Sequence, residues 1–241
     1  LESLDITTNR AVIVDIKSRE SSLSRPSIAN VSHVFILLSI KQPEFNFDQA
    51  NRFLLTAEQS SIKVSIVLTK IDLIKKLHLQ ETINRLISWG YAPFPVSIVN
   101  SIGLSELKTE ILKSSLSVLC GPSGVGKSSL LNYFLPNKKL VVGDISKKLG
   151  RGKHTTRHVE LYSLAQGSLV ADTPGFNRPD IKIEPKLLCN LFPEMRNQLR
   201  DQQCKFRDCL HRDEPGCVIN NNWERYSNYR QILEEMINLH R

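Results

Sequence analysis

The sequence predicts an α/β fold with a mostly parallel sheet, and three observations in its 241 residues predict it. Short apolar runs alternate with segments of helical spacing from residue 31 onward, as in strands buried on both faces and joined by crossover helices. A glycine-rich turn, Gly121 to Ser128, stands between one such run and one such helix. Beyond the last strand, three cysteines and a histidine fall within one short stretch.

The elements follow in chain order. Residues 10–16 (Arg10, then Ala11-Val12-Ile13-Val14-Asp15-Ile16) alternate loosely and predict one or two strands, too few for a stable sheet alone. Residues 17–30 are polar, contain Ser24-Arg25-Pro26-Ser27, and predict a linker. Residues 31–40 form a continuous apolar strand. Phe47, Ala50, Phe53, Leu54 and Ala57 give helical spacing over 47–59, and 61–68 is a second strand. A helix over 77–90 places Leu79, Ile83, Leu86 and Ile87 on its apolar side. Residues 95–98 begin or end another strand, 104–112 form a helix, and 117–120 form the strand before the glycine-rich turn. The helix over 129–135 is stopped by Pro136. Residues 168–171 are a strand, and 224–239 a helix packed through Tyr229, Ile232, Leu233, Met236 and Leu239.

The turn Gly121-Pro122-Ser123-Gly124-Val125-Gly126-Lys127-Ser128 fits the phosphate-loop pattern. Its glycines let successive N–H groups face a polyphosphate, Lys127 meets the β- and γ-phosphates, and Ser128 is placed to ligate Mg²⁺, with Ser129 beside it. The following helix adds partial positive charge under the phosphates. Thr69-Lys70-Ile71-Asp72 closes a strand, as base-reading elements of guanine-nucleotide proteins do. The Asp72 carboxylate accepts from both the ring N–H and the exocyclic amine of guanine, which adenine cannot supply together. Lys70 lies along the base, and Thr69 stands where Asn is commoner, keeping a hydroxyl to brace the loop. Val96 and Ser97, followed by Gly103-Leu104-Ser105-Glu106-Leu107, resemble a further guanine-nucleotide element. Asp172-Thr173-Pro174-Gly175 sets an Asp near Mg²⁺ and the Gly175 N–H at the γ-phosphate. Between them, Gly152-Lys153-His154-Thr155-Thr156 lies in a basic loop with a Thr for Mg²⁺ and the γ-phosphate, Thr155 being taken as the magnesium ligand and Thr156 as its rival. The base-reading elements precede the phosphate loop, so the same site requires a circularly permuted chain.

Cys204, Cys209, His211 and Cys217 give C-x₄-C-x-H-x₅-C, a set suited to a closed, structural Zn²⁺ site, with Lys205, Arg207 and Arg212 around it. The other reading is free cysteines or iron–sulfur ligation. The formal net charge of +8 and pI of about 9.3 suit a polyanion such as RNA, though a merely basic protein has the same balance. Apolar residues are 41% and charged residues 23%, ordinary for a globular chain. No apolar run approaches the roughly 18 residues of a membrane span. The chain opens on Leu1, which fits removal of a leader or upstream piece.

The permuted order, Gly121 to Ser129, Gly152 to Thr156, Asp172 to Phe176 and the Cys₃His spacing together resemble the RsgA (YjeQ) family of ribosome small-subunit biogenesis GTPases over essentially the whole chain. The resemblance implies the end of an OB-fold barrel and its linker in residues 1–30, a permuted GTPase domain in 31–185 and a zinc domain with a C-terminal helix in 186–241. It implies a monomer that binds GTP and GDP, uses Mg²⁺ and one structural Zn²⁺, and hydrolyses GTP when stimulated by the small ribosomal subunit and its rRNA. Phe176 occupies the place of the usual water-positioning Gln; the resemblance makes His154 the catalytic candidate, and an imidazole is able to hold or deprotonate water near neutral pH. Two other classes stand beside this one: a nucleotide-responsive RNA-binding module with little turnover, and an ATP-driven P-loop enzyme, which Asp72 disfavours. A bacterial cytoplasm fits, as does a plastid stroma or mitochondrial matrix after loss of a transit peptide.

Overall fold

Two short antiparallel pairs precede the main sheet: β1 (Leu4–Asp5) with β2 (Arg10–Ala11), and β3 (Ser22–Ser24) with β4 (Ser27–Ala29). These coordinates are a computed structural model, which describes residues 4–5, 10–11, 15, 18–24, 27–135, 160–172, 181 and 183–239. The hairpin β3–β4 stands where the composition predicts a linker. Ser22 and Ser27 are exposed, while Leu23, opposite Ile28, is buried against the sheet domain. A single inward leucine is too little periodicity to show in a serine-rich segment.

The main sheet has six strands in the order β7-β6-β5-β8-β10-β9. They are β5 (His33–Ser39), β6 (Lys63–Thr69), β7 (Phe94–Pro95), β8 (Leu116–Cys120), β9 (Glu160–Ser163) and β10 (Leu169–Asp172). All neighbours pair in parallel except the edge strand β9, which is antiparallel to β10. The helices are α1 (Phe47–Glu58), α2 (Lys76–Ser88), α3 (Leu104–Leu112), α4 (Lys127–Phe134), α5 (Pro193–Asp201) and α6 (Tyr226–Leu239).

β5 is buried at every position because helices cover both its faces. Its side chains alternate, as the two-residue period of a strand requires. Val34, Ile36 and Leu38 point to one side, where Ala50, Phe53, Leu54 and Ala57 of α1 and Leu86 of α2 meet them. Phe35 and Leu37 point to the other, against Leu104, Leu107 and Ile111 of α3 and Leu130, Leu131 and Phe134 of α4. Truncating one of these, such as Leu37→Ala, costs about 2–5 kcal/mol. The apolar positions expected on the helix over 77–90 divide differently: Leu86 is buried, Leu79 and Ile83 half-buried, and Ile87 exposed.

A third apolar cluster gathers Leu188, Leu191, Phe192 and Met195 with Tyr229, Ile232, Leu233 and Met236 of α6. Leu55 of α1 belongs to it, so this C-terminal unit sits directly on the sheet domain. Its 3₁₀ segment Pro185–Leu191 and helix α5 have no counterpart among the predicted elements.

One buried imidazole sits at the opposite end of the sheet from the strands' carboxyl ends. His33 stacks on Phe35 at 4.0 Å, with Nε2 2.9 Å from Ser65 Oγ and Nδ1 3.4 Å from Ser114 Oγ. Burial, helped by the Lys63 ammonium, lowers its pKa from 6.5 to about 4. The folded state therefore binds the proton more weakly than the unfolded chain. This contribution to stability is intact above pH 6.5 and is lost as pH falls from 6.5 toward about 4. Denaturant melts across that window should show a loss on the order of 1–3 kcal/mol that His33→Gln reduces; an equal loss in the variant would assign it elsewhere.

Candidate nucleotide site and metal cluster

From β5 the chain builds outward through β6 to β7; from β8 the sheet extends the other way to β10 and β9. The strand order thus reverses between β5 and β8, and open α/β sheets bind ligands in the crevice outside the carboxyl ends at such a point. The glycine-rich turn leaves β8 there. Gly121 has φ of 140°, and a Cβ on it would stand 2.1 Å from the Leu37 carbonyl oxygen of β5, so no side chain fits. Gly126, at φ 100°, caps α4 and turns the helix's unpaired N–H groups into the crevice. Ser128 and Ser129 lie in the first turn of that helix.

Lys127 folds over the loop, its ammonium donating to the carbonyls of Gly121 (2.7 Å) and Pro122 (2.8 Å). Burial lowers its pKa, while Asp172 and then Cys120 oppose that shift. The Asp172 carboxylate at the end of β10 is therefore an electrostatic neighbour of this ammonium. Cys120 itself is inert: burial pushes its thiol up to about 12.

The end of β6 is fastened to the same loop. Thr69, buried, donates to the carbonyl of Val125 (2.7 Å). Lys70, in the left-handed region at φ 59°, donates to the carbonyls of Gly124 (2.8 Å) and Gln42. Ile71 and Asp72 follow in a 3₁₀ turn, and Asp72 is exposed at the crevice. Ser97 Oγ donates to Asp72 Oδ1 (2.5 Å) and accepts from the Asn100 N–H (3.1 Å). Paired backbone bonds to Ile102 (3.1 and 2.9 Å) pin Ser97, and the chain returns through Gly103, where a Cβ would stand 2.1 Å from the Pro95 carbonyl oxygen. Two segments separated by about fifty residues of sequence thus present one carboxylate beside one phosphate loop. Such a pairing suits a ligand with a polyphosphate at one end and two adjacent N–H donors at the other. His154, Thr155, Thr156, Gly175 and Phe176 lie outside the described residues. Sequence reasoning missed the Gln42 carbonyl, since a backbone acceptor leaves no signature in residue type.

The Cys204, Cys209, His211 and Cys217 ligand atoms all lie within 4.8 Å of one another. His211 Nδ1 is 3.6 Å from both Cys204 and Cys209 Sγ and 3.4 Å from Cys217 Sγ, and the Cys204 and Cys217 sulfurs are 4.0 Å apart. A tetrahedral cation with bonds of about 2.3 Å to sulfur and 2.0–2.1 Å to nitrogen spaces its ligand atoms about 3.5–3.8 Å apart. The donor set fits that geometry. Glu214 braces the loop by accepting the N–H groups of Leu210 (3.1 Å) and Arg212 (2.5 Å). Tyr226 and Tyr229 of α6 donate their hydroxyls to the carbonyls of His211 (3.0 Å) and Leu210 (2.7 Å). All four residues that sequence spacing singled out are brought together.

A cavity of about 600 Å³ lies elsewhere, at the amino end of β6, lined by Lys63, Val64 and Tyr91 from the sheet domain and Leu187, Leu191 and Arg196 from the C-terminal unit. None of the nucleotide or metal residues lines it, and it is a seam between packed units rather than part of either site.

Among known proteins, the family model described as RsgA GTPase matches residues 16–182. A small ribosomal subunit biogenesis GTPase RsgA of Synechococcus sp. is 54% identical over 241 residues, 100% of this chain and 79% of that protein. One from Prochlorococcus marinus is 56% identical over 238 residues, covering 99% and 76%. The crystal structure of YjeQ from Thermotoga maritima superposes with a TM-score of 0.79 at 32% identity, over 96% of this chain and 81% of that one. The structure of YloQ, titled a circularly permuted GTPase, gives 0.73 at 31% identity, over 93% and 74%.

Metal analysis of the purified protein should find about one divalent cation per chain, lost in Cys217→Ser. A metal-free native chain, with its thiols open to a chromogenic reagent, would overturn the tetrahedral reading.

Proposed function

The chain belongs to the RsgA GTPase family, and we propose that it is an assembly factor that binds the small ribosomal subunit during late maturation and leaves when it has hydrolysed GTP. The observation that carries this reading is the convergence of Thr69 and Lys70 on the phosphate loop from upstream in the chain, with Asp72 next to them and held by Ser97. GTP lies with its phosphates along Gly121, Pro122, Ser123, Gly124, Val125, Gly126, Lys127, Ser128 and Ser129. Its guanine meets Asp72, which Ser97 steadies, with Thr69, Lys70 and Ile71 shaping the base end. Lys127 exchanges its two loop carbonyls for phosphate oxygens. Ser128 and Thr155, with Asp172, would hold Mg²⁺, which would supply positive charge to the phosphates. Thr156 and the Gly175 N–H are the groups this reading assigns to the γ-phosphate. His154 orients the attacking water, the role Phe176 cannot fill. Zn²⁺ is the cation for the Cys₃His loop, where it serves structure.

Charge supports an RNA partner. Residues 136–159 hold seven cations, Lys138, Lys139, Lys147, Lys148, Arg151, Lys153 and Arg157, against one acid, Asp144, a net +6 of the chain's +8. The basic balance therefore belongs to the segment between α4 and β9, beside the GTP site in sequence, and not to the surface at large. Domain limits of 1–30, 31–185 and 186–241 follow from the same reading, as does residence wherever ribosomes are assembled, the cytoplasm of a bacterium or an organelle. No helix among the described residues is long and apolar enough to cross a membrane.

Phosphate release titrated with purified small subunits at two salt concentrations tests the proposal. Turnover should rise with subunits, less so at high salt, because phosphate contacts release counterions. His154→Ala should lose the stimulation and keep GTP binding. Stimulation unchanged in that variant would remove His154 from catalysis, and no stimulation of the unaltered protein would favour a nucleotide-responsive RNA-binding module.

A further inference from the structure

Arg225 has no exposed surface and is not used by either site described above. It stands just before α6, and its guanidinium crosses from the C-terminal unit into the sheet domain. Nε and Nη2 grip Glu194 of α5 (2.8 and 2.5 Å), Nη1 donates to Asn51 Oδ1 of α1 (3.0 Å), and Nη2 reaches the Trp89 carbonyl beyond α2 (3.5 Å). The ring of Trp89 lies 4.7 Å and that of Phe192 4.9 Å from its carbon. A buried ion pair adds little stability over well-packed apolar residues, and its best-attested use is to specify one arrangement. The planar fork of arginine finds all these acceptors only when α5, α1 and the end of α2 hold one mutual placement.

That placement leads to the nucleotide loop. Asn51 lies one turn into α1, whose start is fixed by Asn46 Oδ1 accepting the Gln49 N–H (2.8 Å). Immediately before it, Gln42 supplies the carbonyl that holds Lys70, and Pro43 packs beside Gly124, where an added Cβ would meet its Cδ at 3.7 Å. On the other side, the Arg225 carbonyl accepts the Tyr229 N–H (2.9 Å), the backbone bond that begins α6, whose tyrosine hydroxyls hold the metal loop. We infer that Arg225 is a positioning residue through which the C-terminal unit sets the loop around Gln42 and Pro43, and hence how long guanine nucleotide stays bound. This rests on the reading that guanine nucleotide occupies the Gly121 to Ser128 loop.

The test is the dissociation rate of a fluorescent N-methylanthraniloyl GDP. Arg225→Met/Glu194→Gln removes both charges together, so no unpaired ion is left buried; Asn51→Ala removes only the α1 acceptor. Each should release the probe roughly three- to thirtyfold faster, and the triple variant no faster than the double, since all act through one contact. Circular dichroism and a single thermal transition identify the variants that keep the fold. Arg225→Lys, which keeps the charge and loses the fork, should fall between. Release within about twofold of the unaltered protein in Asn51→Ala, or additive effects in the triple variant, would overturn the inference. Failure of the unaltered protein to bind the probe would instead overturn the nucleotide reading beneath it.

Discussion

The Leu37 carbonyl of β5 and the α-carbon of Gly121 approach so closely that only a hydrogen fits between them. The rest of the site depends on this contact. It lets β8 run parallel to β5 in the register Ile36 to Cys120 and turn away at once into the phosphate loop. The loop then begins at the reversal of strand order and not beyond it. Thr69 at the end of β6, one strand over, and Lys70 just after it reach the loop's carbonyls only because the loop starts there. A glycine here is required by the sheet before any phosphate is considered.

Permutation is invisible to this geometry. β8 comes eighth in the chain but lies between β5 and β10, so its loop is flanked by the end of β5 and by Asp172 of β10. What permutation changes is which elements are joined by covalent chain. α3 carries the chain from edge strand β7 back to the centre, and the segment after Asp172 leads directly into the C-terminal unit. The stretch that follows Asp172 in sequence thereby adjoins the unit that carries the Cys₃His cluster, while Arg225 returns from that unit to α1.

The parallel strands were legible because burial on both faces makes them continuous apolar runs; α3 was legible to the residue, from Leu104 to Leu112. The Thr69 hydroxyl, read from sequence as a brace, donates to the loop carbonyl of Val125. Illegible elements share a physical cause. β3 and β4 bury one leucine between them, β9 is an edge strand with only Tyr162 buried, and α5 has polar residues on most of its surface. Each gets its structure from what it packs against, not from its own pattern. Arg225 is the extreme case. In sequence it is one arginine among many in a basic chain, and its role comes from Glu194, Asn51 and Trp89, which only the fold brings together.

The phosphate-loop pattern alone suits any nucleoside polyphosphate; in the function proposed above, the fastening of β6 to the loop, and of Ser97 to Asp72, selects guanine. Competition of GDP and ADP against a fluorescent GDP analogue measures that directly. GDP should displace the analogue at least about a hundredfold better than ADP, because adenine leaves the Asp72 carboxylate facing an acceptor where guanine offers donors. Equal displacement by the two nucleotides would contradict it.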